Sequence, residues 1–141
     1  AATLYLVDAD GMTLAASNHR SPNTFVGQDY SFRSYFRDAM QSGVGELFAQ
    51  GTVSGIPGLY LAQRLRGGGG VVVTKVEFPQ LEATWRRNGE ETLVTNNDGI
   101  VLLTSSPTKR FSKYDSSPAF QEGWISAPLP ALYQDWKLVL R

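Results

Sequence analysis

The sequence predicts an α+β fold: antiparallel sheet with covering helices, repeated as two tandem modules. Three observations predict it. Apolar runs flank Asp8-Ala9-Asp10-Gly11, and an Asp-Gly pair in that setting marks a hairpin because both residues tolerate positive φ. Phe32, Tyr35, Phe36, Ala39 and Met40 recur at helical spacing and form one apolar face. The hairpin pattern of residues 4–14 then returns at residues 93–103, again with an Asp-Gly turn, a weak repeat that two copies of one small module would produce. Hairpins crossed by a helix give antiparallel sheet covered on one face.

The first strand is predicted over 3–7, with Leu4 and Leu6 alternating against Tyr5 and Val7, and the second over 12–16. Residues 17–24 are polar, contain Pro22 and read as a loop. Ser31 or Asp29 caps the helix that follows, and Gly43 ends it; Arg33, Ser34, Arg37, Asp38 and Gln41 fall on or beside its polar side. A short strand over 46–49 leads into a turn-rich stretch, 50–58, and then a strand over 59–65. Four glycines, 67–70, precede the clearest strand, 71–78, and Pro79 suits the first turn of a short helix over 80–87. The second module carries strands over 91–95 and 100–104, an irregular polar stretch over 109–124 and a last strand over 136–140. The division is drawn as 1–87 and 88–141.

Composition narrows the function by exclusion. The 13 Lys and Arg balance 13 Asp and Glu, whereas a chain that neutralises many phosphates carries a basic excess, so nucleic acid is not an expected partner. A hydrophobic fraction of 42% is enough for a packed core, against disorder as the overall state. The absence of cysteine excludes disulfides and thiolate metal sites. No apolar run approaches the roughly 20 residues of a membrane span, and no signal peptide is visible. If the parent protein is membrane-bound, this is a soluble piece of it.

Catalytic patterns are missing too. His19 is the only histidine and lies in a polar loop, which suits neither a triad nor zinc. The 67–70 glycines lack the Lys-Ser/Thr of a phosphate loop, and Asn96-Asn97-Asp98-Gly99 lacks the downstream Glu of a calcium loop. Asp8 and Asp10 read as turn residues. No catalytic residue, metal or cofactor is expected, and the chain is read as a binding part, not an enzyme.

A small set of polar residues suits an anion. Tyr30 and Arg33 stand at the helix start. Thr52 and Ser54 are two apart, so an extended backbone would turn both hydroxyls to one side. Lys75 shares a strand face with Val71 and Val73, a costly position unless the charge is paired or faces a cavity. Two cations and three hydroxyls suit a small dianion, with Arg offering a planar fork, Lys a compact charge and the helix start its N–H groups. The same residues admit a plainer reading: Arg33 on a solvated helix face, Lys75 as an edge-strand charge, Thr52 and Ser54 as ordinary turn residues.

At these residues the chain resembles the double Cache, PAS-like sensor domains of C4-dicarboxylate sensor histidine kinases. Residues 27–36, GQDYSFRSYF, resemble their YSFRPYF signature; residues 51–60, GTVSGIPGLY, resemble GTTSxxPGYY; residues 71–82, VVVTKVEFPQLE, resemble their strand and helix GVVVVKVdldeLE; and residues 93–107 resemble the opening hairpin of the membrane-proximal module. The resemblance implies a PAS-like distal module, complete except for its N-terminal helix, and a short proximal one. It implies a periplasmic domain of a membrane-anchored parent, for which a homodimer is one expectation, binding a C4-dicarboxylate such as succinate through Tyr30, Arg33, Thr52, Ser54 and Lys75. Asp29 beside them would repel a dianion and pair with an ammonium, so an amino acid or monocarboxylate is the alternative ligand. A dimerisation module with a vestigial pocket is the third reading.

Overall fold

The computed structural model describes residues 2–89, 91–95 and 98–113, which fall into two compact units divided between Glu77 and Phe78. The first unit is a five-stranded antiparallel sheet: β1 (Ala2–Asp8), β2 (Thr13–Ala16), β3 (Val44–Gln50), β4 (Pro57–Arg64) and β5 (Gly70–Val76), in the order β2-β1-β5-β4-β3. Helix α1 (Ser34–Ser42) lies between β2 and β3 in the chain and packs on β3, β4 and β5.

The valine-rich β5 takes the centre because both its edges are paired: Thr3 of β1 and Tyr60 of β4 each oppose Lys75. Alternation divides its side chains between two faces. Val71, Val73 and Lys75 are buried with Tyr5, Val7, Tyr60 and Ala62 under Tyr35, Phe36 and Ala39 of α1. The opposite face leaves Leu4, Leu14, Val44 and Leu61 exposed. A side chain such as Leu47, fully buried here, stabilises the unit by about 1.5–3 kcal/mol.

Three local expectations are corrected. Helix α1 begins at Ser34, with Arg33 at the cap position and no side-chain cap, because the Asp29 carboxylate instead accepts the Ser31 N–H at 2.8 Å in a tight turn of its own. Phe32 therefore lies outside the helix and is 47% exposed. Strand β3 is longer than predicted, since pairing with β4 runs unbroken from Val44–Gln63 to Gln50–Pro57. Gly43 does end the helix: its φ of 94° is left-handed, and its N–H reaches the Ala39 carbonyl at 2.8 Å.

The second unit holds α2 (Pro79–Arg87), β6 (Leu93–Thr95) and β7 (Val101–Thr104), the two strands antiparallel, followed by a 3₁₀ turn at Pro107–Lys109. The division falls ahead of α2, which sequence reading assigns to the first module. Within the unit, Glu82 of α2 accepts the Thr104 N–H at 2.7 Å and both Arg110 terminal nitrogens at 2.7 Å. The predicted strand over 136–140 and the polar stretch beyond 113 lie outside the described residues.

Candidate functional site

Lys75 organises the site. Its side chain is 1% exposed on the helix-covered face of the central strand. A buried ammonium needs its donors used. Nζ donates to the Ile56 carbonyl at 2.7 Å and the Ser54 hydroxyl at 3.0 Å, and pairs with Glu77 at 3.5 Å. It also stands 5.5 Å from the Tyr60 ring and 5.9 Å from that of Phe25. Two glycines leave the space it occupies. A Cβ on Gly58 would come within 2.8 Å of Lys75 Cε, and one on Gly51 within 2.9 Å of Nζ and 2.6 Å of Ser54 Oγ. Burial pulls the ammonium below the usual lysine range, Glu77 opposes that shift and Arg33 adds to it.

Arg33 is 2% exposed, held by its N–H on the Tyr30 carbonyl at 3.0 Å and by Nη2 on the Gln50 carbonyl at 2.9 Å. Its guanidinium lies 5.0 Å from the Phe32 ring and 5.6 Å from Tyr60. Both cations thus share the Tyr60 ring, whose π face favours positive charge. Tyr35 stacks on Tyr60 at 5.1 Å and 7°, and its hydroxyl meets that of Tyr5 at 2.6 Å. Tyr30 is buried against Tyr5 and Phe25, at 5.6 and 6.0 Å between rings. Burial pushes the Tyr30 hydroxyl up to about 12, with Arg33 pulling back, and pushes Tyr5, Tyr35 and Tyr60 up as well, so all four are neutral at neutral pH.

Of the residues expected at the site, Tyr30, Arg33, Ser54 and Lys75 gather around residues 50–60 and the Tyr60 ring. The solvated-face reading of Arg33 and the edge-strand reading of Lys75 are overturned, since both are buried and β5 is central. Within the turn-rich stretch expected at 50–58, residues 52–54 form a turn and not the extended backbone that would align both hydroxyls, closed by the Gly55 N–H on the Gly51 carbonyl at 2.9 Å. Ser54 turns inward to Lys75, while Thr52 is exposed. Asp29 is exposed and engaged with Ser31, whose hydrogen bonds lower its carboxyl.

Tyr60, Phe25, Gly51, Gly58 and Glu77 were not anticipated. For Tyr60 and Gly58 the signal was present: both fall on one parity of β4 with Ala62, the face that β5 turns inward. Glu77 falls two residues beyond Lys75, the same spacing. Among the described residues, no group of three His, Cys, Asp or Glu is arranged to hold a metal, and no helix is long and apolar enough to cross a membrane. Buried cations beside hydroxyls are chemistry for holding an anion, with the Gln50 and Ile56 carbonyls holding the cations in place.

No family model matches the chain. The C4-dicarboxylate transport sensor protein DctB of Rhizobium meliloti (strain 1021) is 51% identical over 114 residues, which are 79% of this chain and 18% of that protein. The protein of the same name from Pseudomonas aeruginosa is 36% identical over 137 residues, 95% of this chain and 22% of its own length. The chain therefore spans 18% and 22% of these curated relatives. Among solved structures, the sensor domain of the V. cholerae histidine kinase DctB is similar with a TM-score of 0.71 and 28% identity, covering 91% of this chain and 54% of that one. The ligand-binding domain of the Pseudomonas fluorescens chemoreceptor CtaA, in complex with L-leucine, has a TM-score of 0.60 at 19% identity over 85% of this chain and 52% of its own, a likeness of fold.

Proposed function

Because the chain belongs to the Cache-like, non-catalytic sensor domains of the C4-dicarboxylate transport sensor proteins, and is an extracytoplasmic ligand-binding domain, we propose that its first unit binds a small dicarboxylate such as succinate. One observation carries this reading: two buried cations, Arg33 and Lys75, share the Tyr60 ring. Arg33 takes one carboxylate through its planar fork and Lys75 takes the other, with Ser54 and the Tyr30 hydroxyl completing the shell and Thr52 joining from the turn. The relatives' names, which refer to C4-dicarboxylate transport, point the same way.

No bond is made or broken. The ligand would draw the 50–56 turn and the start of α1 together, because both carry or contact its partners. A state that binds better is thereby favoured, and the parent protein reads that bias. The parent is proposed to be an inner-membrane histidine kinase, a homodimer with this domain in the periplasm. Calorimetric titration with succinate, malate and fumarate tests the ligand class. Binding heat with at least one of them is expected; no heat and no thermal shift with any would overturn the reading.

A further inference from the structure

The carboxylate of Glu77 lies 3.5 Å from Lys75 Nζ, with the Glu side chain 18% exposed and the Lys 1%. The other two Lys75 hydrogen bonds go to neutral oxygens, the Ile56 carbonyl and the Ser54 hydroxyl. Among the described residues, Glu77 is thus the negative charge that this ammonium meets, and it holds the place a ligand carboxylate would take. Its field also reaches the Tyr60 hydroxyl, whose ionisation it opposes. We propose that Glu77 is a resident competitor for Lys75 and so sets which ligand charge the site accepts, an inference that rests on the carboxylate reading above.

The physical argument is a charge count. At Lys75 the single positive charge is already balanced by Glu77, so a ligand carboxylate arriving there meets an excess carboxylate, whereas a monoanion held elsewhere in the site does not. A dianion reaches Lys75 only by moving Glu77 aside. Its 18% exposure matters here: the displaced carboxylate has water to move into, whereas Lys75 has none. Glu77 is also the last residue of the first unit, directly ahead of the Phe78-Pro79 entry to α2. The side chain displaced by ligand is therefore attached to the backbone that leaves β5.

The experiment compares the affinities of succinate and butyrate, four-carbon acids differing by one carboxylate, for the 141-residue chain and its Glu77→Gln variant. A charge-assisted contact freed of its competitor raises affinity about tenfold, so the succinate-to-butyrate preference should rise by about that factor in Glu77→Gln. A Glu77→Asp variant, which keeps the charge, should retain the native preference. An unchanged preference in a folded Glu77→Gln variant, while the native chain binds succinate, would overturn the inference and leave the dicarboxylate reading standing. If the native chain binds neither acid, the dicarboxylate reading itself falls, and the inference with it. A crystal structure of the native chain with succinate gives an arm free of folding effects: Glu77 should have left Lys75, and a Glu77 carboxylate still on Nζ would refute the competition.

Discussion

Lys75 and Gly58 face each other across β5 and β4 so closely that position 58 has no room for a side chain: a Cβ there would stand 2.8 Å from Lys75 Cε and 2.9 Å from the Val76 carbonyl. One of these atoms is the end of a ladder and does not yield cheaply. Gly58→Ala should therefore destabilise the first unit by about 1–3 kcal/mol, the usual effect of overpacking. Urea unfolding followed by circular dichroism measures it, and an unchanged midpoint would show that the lysine stem moves freely.

Arg33→Ala removes the fork that holds the Gln50 carbonyl. Loss of a charge-assisted contact is worth about 1.5–3 kcal/mol, so dicarboxylate affinity should fall by at least about tenfold. Calorimetry on a variant shown to be folded checks it; native affinity would remove Arg33 from the site.

Lys75→Met separates stability from binding. Burial works against the ammonium, but removing it alone leaves the Ile56 carbonyl and the Glu77 carboxylate without their donor, which offsets the gain. The variant should unfold within about 1–2 kcal/mol of the native chain and bind no dicarboxylate. A large loss of stability would mean that the hydrogen bonds to Ser54 and Ile56 outweigh desolvation.

Alkaline stability follows from the tyrosines. Tyr30 ionises at about 12 in the folded chain against 10.0 for a free tyrosine, and Tyr5, Tyr35 and Tyr60 are raised too. Groups raised on folding give stability that is complete below the unfolded value and lost as pH rises towards the folded one. Lys75 runs the opposite way: its depressed value makes its charge costly at neutral pH, a cost relieved as pH approaches 10.5. Four tyrosines outweigh one lysine, so the urea midpoint should fall between pH 10 and about 12. A midpoint that rises over this range would contradict the buried cluster.

In the second unit, Glu82→Gln breaks the two-pronged contact with Arg110 and weakens the bond to the Thr104 N–H. With both side chains largely buried, about 3 kcal/mol should be lost. Hydrogen exchange at residues 101–104 should speed up, while exchange in β5 of the first unit, protected in its own sheet, should not.

Much of this was legible in the sequence where periodicity and turn chemistry agree. The valines of β5 and the interruption at Lys75 place that lysine on an inward face, and Gly43 after an apolar helical stripe marks a real helix end. Arg33 was legible only as a helix-start residue; its burial depends on Gln50 and Tyr60, which are 17 and 27 positions away. The turn-rich character of 50–58 was legible, but not which hydroxyl faces inward, because that depends on the hydrogen bond from Gly55 to Gly51 and on Lys75 reaching Ser54. Gly58 carries the inward parity of β4, but the space that Gly51 and Gly58 leave becomes meaningful only once Tyr60 is paired with Lys75.

The order β2-β1-β5-β4-β3 has a consequence for how the chain comes to be folded. The central strand is the last of the five to leave the ribosome, and it joins β1, more than sixty positions earlier, to β4. Until residue 76 has emerged, the nascent chain holds two separate hairpins with open edges and no common sheet. Such long-range closure is slow and leaves strand edges exposed meanwhile. The strand that joins the hairpins also brings in Lys75, so closure of the sheet and assembly of the proposed site are one event, and a polypeptide stalled before β5 keeps its strand edges open.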